Sequence, residues 1–399
     1  MRSIRMAAYG GLAIVLALYL IEIGLDEAQV GLLLALTLAG DAVVSLVLTT
    51  RADRVGRRPT LVLGAGLMVL GGAVFVSTGE FVVLVAAAIV AVLSPSGNEV
   101  GPFLPVEQAA LSEVVPADRR TVAFAWYQLA GSLATAGGSL AAGLLVQGLV
   151  DGGAAAADAY RSVIVVYAFI GVLIGVLGWT LSPAVEPALR PIDASIRRRL
   201  GLHRSRRVVG ELSALFALDA FGGGFVVQSI VALWFGLRWD VEPALLGGIF
   251  FGANALAGLS GLVAARLAAR IGLIETMVVT HIPSNVLLIL VPLMPSLELA
   301  IAVLLVRFSI SQMDVPTRQS YTMAVVAPDE RSAASGITGM ARSAGAAVAP
   351  LMAAPLVAAP VLAGGLPFVI AGVLKIGYDL ALWRRFRSQR PPDEGRERR

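Results

Sequence analysis

The sequence contains no cysteine and only two histidines, His203 and His281. Without thiols there are no disulfides, no thiolate metal sites and no cysteine nucleophile. Charge is scarce as well. Asp, Glu, Lys and Arg make up 15% of the 399 residues, where a soluble domain carries about 25%. There is no phosphate-binding P-loop, so ATP is not the direct driver of any activity. No nucleophile–base set gathers anywhere, so the sequence does not read as an enzyme and implies no metal or cofactor. What fills the chain instead is apolar: 57% of residues are hydrophobic and the mean hydropathy is +0.82. No soluble fold hides that much oil, so the solvent is lipid.

A helix crosses the hydrocarbon with about 20 apolar residues. About twelve runs qualify, near 6–24, 28–50, 59–79, 81–112, 121–148, 162–182, 209–236, 244–270, 275–295, 297–325, 332–358 and 361–383. The first is not followed by a cleavage pattern and reads as a retained helix. The fourth is interrupted by SPSGNEVGP at 94–102, which reads as a kink within one helix. Arginine and lysine orient the chain. Twenty-five lie at the two ends or in joints on one side, two (Arg161 and Arg238) on the other, and four inside spans. Both termini are therefore expected on the cytoplasmic side of the cell membrane. The net charge of +4 suits a lipid surface rather than nucleic acid. The polar stretch 183–207 reads as a basic cytoplasmic linker between a first half, 1–182, and a second, 208–385, with a basic tail at 386–399.

The most charged joint reads TTRADRVGRRPTL, residues 49–61. It recurs, worn down: RADRVGRRPTLV at 51–62 aligns with LAARIGLIETMV at 267–278. Gly56 meets Gly272 and Thr60 meets Thr276, while Ala269 replaces Asp53. A second echo sets EQAALSEVVPADRR (107–120) against RQSYTMAVVAPDER (318–331), with Glu107 opposite Arg318. Two homologous halves follow.

Two six-helix halves, a basic linker and the run Asp53-Arg54-Val55-Gly56-Arg57-Arg58 between the second and third spans resemble the major facilitator superfamily, with Thr49 in place of the motif's leading glycine. The resemblance implies an all-α polytopic fold and alternating access to a midplane site. It makes Asp53, Arg54, Gly56, Arg57 and Arg58 a conformational latch. Gly56 permits the tight turn, Asp53 caps a neighbouring helix or pairs with an arginine, and the arginines hold the joint to the anionic leaflet. The resemblance also places spans one, four, seven and ten around the cavity. The superfamily's exporter motif on the fifth span lacks its proline here, at 138–143, so it does not establish export.

Charges inside lipid are expensive and mark partners or pathways. Asp41 in the second span and Arg342 in the eleventh are expected to pair or to face the cavity. In the tenth span Arg307, Ser311, Asp314 and Arg318 share one helical face. Asp314 and Arg318 are spaced to neutralise each other, and Arg307 is placed to grip an anion. Glu99 and Glu107 in the fourth span and Asp219 in the seventh complete the candidates, with Glu107 and Asp219 favoured as proton carriers. Lys375 and Asp379 are read as a structural i,i+4 pair, and His281 as a polar residue near a helix end. The reading that follows is a monomeric secondary transporter, coupled to protons, for a small molecule. Phe124, Trp126 and Tyr127 among the apolar wall residues suit a hydrophobic compound, and efflux of a hydrophobic or amphipathic compound is slightly preferred on the superfamily's base rate rather than on residues. Uptake of a small organic anion by symport stands close behind, and a channel or non-transporting receptor is the remaining alternative.

Overall fold

The computed structural model describes residues 1–98, 101–116, 120–182, 185–186, 204–327, 330–360 and 364–387. Most of the linker and the tail beyond 387 lie outside these. Among the described residues the regular structure is helical, with no strand, and ten helices are long and apolar enough to cross a membrane. The fourth and tenth of the twelve expected spans are each broken into shorter pieces, and the seventh divides between Gly224 and Gln228 into helices of 19 and 12 residues.

The chain gathers into two compact units. The first comprises Met1–Arg190, Val226–Ala255 and Pro350–Gly364, and the second Pro191–Phe225, Leu256–Ala349 and Gly365–Arg399. The first contains α1 (Arg2–Glu22), α2 (Glu27–Val55), α3 (Arg57–Ser77), α4 (Phe81–Val90), α5 (Phe103–Val114), α6 (Arg120–Asp151) and α7 (Ala156–Trp179). Asp26 starts α2 with a capping box, accepting from Gln29 N at 2.8 Å while Gln29 Oε1 accepts from Asp26 N at 3.0 Å. This satisfies two backbone donors that lipid could not. Helices α1 and α6 pack closely through small residues: a Cβ on Gly138 would stand 1.9 Å from Ala7 O. Such contact is how helices associate where lipid removes the hydrophobic drive.

The fourth span is not one kinked helix. Helix α4 stops at Val90 and α5 begins at Phe103. Gly97 and Gly101 take φ of +68° and +75°, a region L-residues avoid, so the helical ladder cannot run through. The irregular backbone is covered by protein. Asp41 Oδ1 accepts from Gly101 N at 2.6 Å, Ser45 Oγ donates to Gly101 O at 3.0 Å, Ser94 Oγ donates to Asn98 O at 2.7 Å, and the Tyr167 hydroxyl donates to Val92 O. Within the same unit, α9 (Gln228–Trp239) adds a bond from Ser229 N to Pro95 O at 2.9 Å.

The second unit holds α8 (Arg206–Gly224), α11 (Leu273–Leu290), α12 (Leu297–Ser311), α13 (Asp314–Val325) and α15 (Leu366–Phe386), while α10 (Pro243–Ile271) and α14 (Arg331–Ala358) divide between the units. Helices α8, α11, α13 and α15 pack around Phe216, Met277, Tyr321 and Tyr378, all fully or almost fully buried. The tenth span breaks between Ser311 and Asp314, so Arg307 sits on α12 and Arg318 on α13.

Gly138→Val is expected to force α1 and α6 apart and lower the thermal unfolding midpoint in detergent micelles, at an overpacking cost of about 2 kcal/mol. An unchanged midpoint would contradict the close packing of α1 on α6.

Candidate functional site

The second unit gathers charge around one carboxylate. Asp219, on α8, is 2% exposed. Its Oδ1 lies 2.6 Å from Lys375 Nζ on α15. Its Oδ2 lies 3.0 Å from Arg342 Nη1 on α14 and 3.2 Å from Arg318 Nη1 on α13. Arg318 also donates to Asp314 Oδ2 at 2.8 Å, one turn earlier on its own helix. Beside this stands a second buried group. His281 Nδ1, on α11, is 2.8 and 3.0 Å from the two carboxylate oxygens of Asp379 on α15, and Asn285 Nδ2 donates to Asp379 Oδ2 at 3.3 Å. His281 Nε2 is 3.9 Å from Asp219 Oδ1.

Five helices thus deliver three acids (Asp219, Asp314, Asp379), three basic side chains (Arg318, Arg342, Lys375) and one imidazole. In lipid each charge needs a partner close by. The set sums to zero with a neutral imidazole. Arg342 is its open edge: its side chain is 34% exposed, while that of Asp219 is 3% exposed. Arg307 stands on α12 with its guanidinium 4.8 Å above the Phe308 ring, and its Nε has no hydrogen-bond partner among the described residues.

The first unit holds a smaller cluster. Arg5, on α1, is 0% exposed and grips Glu107 on α5 through two bonds, 2.7 and 3.0 Å. Tyr127, on α6, donates to the same carboxylate. Arg5 lies 4.3 Å from the Phe103 ring centroid and Arg2 3.8 Å from that of Tyr127. The repeat alignment sets Glu107 opposite Arg318; Glu107 is ion-paired to Arg5 on α1 and Arg318 to Asp219 on α8.

Asp41 bonds the Gly101 amide in the first unit and Arg342 bonds Asp219 in the second. Other expectations are revised. Lys375 and Asp379 do not pair with each other. Both reach partners on other helices, Asp219 and His281. Arg5, counted in the sequence among the arginines of the cytoplasmic ends, is a buried partner of Glu107. Asp314 and Arg318 do pair, but Arg318 is shared with Asp219. Glu99 lies outside the described residues.

The joint after α2 turns on Gly56 at φ +109°, and its repeat after α10 turns on Gly272 at φ +103°. Thr60 Oγ1 donates to Gly56 O at 2.7 Å, and Thr276 Oγ1 to Gly272 O at 2.6 Å. Both copies keep the same glycine turn. The positive end of α3 takes a carboxylate, as helix N-termini do: Glu186 accepts from Arg57 N at 2.7 Å and Arg58 N at 3.0 Å. Arg57 is 3% exposed and donates to Val185 O at 3.2 Å, and Arg58 donates to Trp179 O. Both side chains bond to backbone carbonyls of the protein. The side chains of Asp53 and Arg54 lie outside the described set.

The family model of the Major Facilitator Superfamily matches residues 2–350. The chain belongs to that superfamily of membrane transporters. An uncharacterized membrane protein of Saccharomyces cerevisiae, YJR124C, is 30% identical over 95% of this chain and 91% of its own length. Among solved structures, a bacterial homologue of the human lysosomal transporter Spinster matches at TM-score 0.70 with 16% identity, covering 98% of this chain and 96% of that one. The nucleoside transporter NupG matches at 0.72 with 11% identity, over 96% and 97%. A D-xylose–proton symporter matches at 0.69 with 14% identity, over 96% and 95%. At these identities the solved structures share the fold with this transporter, and no more.

Glu107→Ala in this transporter is expected to strand the buried Arg5 guanidinium at a cost of about 3 kcal/mol, seen as a lower unfolding midpoint in micelles. The pair Arg5→Met with Glu107→Met is expected to recover most of that loss. A single variant as stable as the parent would show that the bidentate pair does not form.

Proposed function

We propose that this superfamily member is a proton-coupled secondary transporter of a small organic anion, working as a monomer by alternating access. It acts in the cell membrane with both termini in the cytoplasm. One observation carries the reading. A single buried carboxylate, Asp219, is met by three cations from three helices, and one of them, Arg342, has a third of its side chain exposed. A cation already placed at an open edge offers a bidentate grip to a carboxylate or phosphate. Arg307, whose Nε is unpartnered among the described residues, adds a second positive group on α12, across the break from Asp314 and Arg318 on α13.

Tyr127 donates to Glu107, which ties one of the fifth span's aromatics into the first unit's charge cluster. The arginine asymmetry between the two sides supports the orientation.

The test is proton movement in proteoliposomes with an internal pH dye, using succinate, gluconate, glutamate and inorganic phosphate beside cationic dyes. An anion is expected to move protons saturably, and Arg342→Gln to lower that flux about tenfold, the value of one charge-assisted bond. The sign of the pH change separates symport from antiport. Proton movement by the cationic dyes alone would overturn the anion reading, and saturable flux without any proton signal would overturn the coupling.

A further inference from the structure

Resting on the transporter reading above, we infer that His281, held by Asp379 and Asn285 and lying 3.9 Å from Asp219, carries the coupled proton and releases Arg342 to the anion. His281, Asn285 and Asp379 belong to α11 and α15, the ninth and twelfth spans, outside the set of spans expected to line the cavity.

The geometry fixes which atom works. A carboxylate only accepts hydrogen bonds, so the ring nitrogen facing both oxygens of Asp379 is the one that bears hydrogen. In the neutral ring Nε2 then holds the lone pair, and Nε2 is the nitrogen nearest Asp219. Asp379 and Asn285 fix the tautomer and Asp219 receives the consequence. His281 is 6% exposed and Asp379 and Asn285 are 0% exposed, so a charge arising here is not screened by bulk water. Asn285 Oδ1 and the neighbouring Ser284 Oγ, both buried, have no hydrogen-bond partner among the described residues. Polar atoms that the fold leaves unsatisfied mark a place for more than static packing.

The charged and titratable neighbours of the imidazole come from every packed element. From α15 they are Asp379, Lys375 and Tyr378, whose ring is 6.0 Å away at 86°. From α8 it is Asp219, 3.9 Å from Nε2; Arg318 of α13, with its own partner Asp314, and Arg342 of α14 reach the group through Asp219, while Arg307 stands on α12, which packs on α11, outside this set. With neutral His281 the acids and cations of the cluster balance. A proton from water that bonds to Nε2 adds one positive charge beside Asp219, which already holds three cations at 3.2 Å or less. The single negative charge of Asp219 then faces four positive groups, and the buried set is no longer neutral. Lys375 and Arg318 are enclosed, with side-chain exposures of 10% and 8%, while Arg342 is the open one. Arg342 is the cation that turns to an incoming anion, so one proton and one negative charge load together. Release reverses the step: the Nε2–H bond breaks, the proton returns to water, and Asp219 recaptures Arg342.

The experiment compares protons moved with probe exchanged, using whichever of succinate, gluconate, glutamate or phosphate moves protons in the parent. For His281→Gln and Asp379→Asn the ratio of proton movement to labelled-probe exchange is expected to fall about a hundredfold, the scale of a lost proton-transfer group. A parental ratio in His281→Gln overturns the inference. A second readout needs no transport and remains decisive if a variant folds poorly. His203→Asn leaves a single imidazole, whose nitrogen NMR signals are read in micelles between about pH 5 and 8. The neutral ring is expected to bear hydrogen on Nδ1, and Asp219→Asn to displace its titration. A ring protonated on Nε2 when neutral, or a titration indifferent to Asp219→Asn, overturns the inference. If no probe moves protons in the parent, the coupling reading fails, and the NMR result still judges His281 separately.

Discussion

The second unit depends on one constraint: a carboxylate buried in a lipid-facing helix bundle must be met by cations or not be there. Asp219 satisfies it three times over, through Lys375, Arg342 and Arg318. The three come from α15, α14 and α13, so the charge network is also what draws those helices onto α8. Burial of each ion alone would cost several kcal/mol. Together they form a neutral set whose members are individually hard to remove. That is a stable arrangement and also a sensitive one, because any added charge must be answered by moving another.

The same demand shapes the backbone. Where α4 gives way before α5, the freed amide and carbonyl groups have no water to turn to. Asp41, Ser45, Ser94 and Tyr167 supply the missing partners. Asp41 thus has a structural task in the first unit, and the polar side chains of α2 and α7 serve the broken span next to them.

Much of this is legible in the order of residues along the chain. The internal repeat marks Gly56 and Gly272 by spacing alone, and both adopt the positive φ that a glycine turn needs. An i,i+4 interval marks the Asp314–Arg318 bond. Elsewhere local spacing misleads, because it competes with partners far along the chain. Lys375 and Asp379 sit four apart, yet their partners are 156 and 98 residues away, a distance no helical period reveals. Arg5 lies one turn from Arg2 and reads as one more anchoring arginine. Only the packing of α1 against α5 and α6 shows it to be buried. His281 reads as a residue near a helix end because no acid lies close enough along its own helix to claim it. The kink expected at 94–102 is a full break, with Gly97 and Gly101 both at positive φ.

The most direct measurement of the central claim is a double-mutant cycle between Asp219 and Lys375, read by thermal unfolding of purified protein in micelles. If Asp219 is the hub that neutralises the buried cations, Asp219→Asn and Lys375→Met each destabilise. The double variant then recovers part of the loss, with a coupling of about 1 kcal/mol or more. Two effects that simply add would contradict it, and would mean that the two residues are buried near each other without depending on each other.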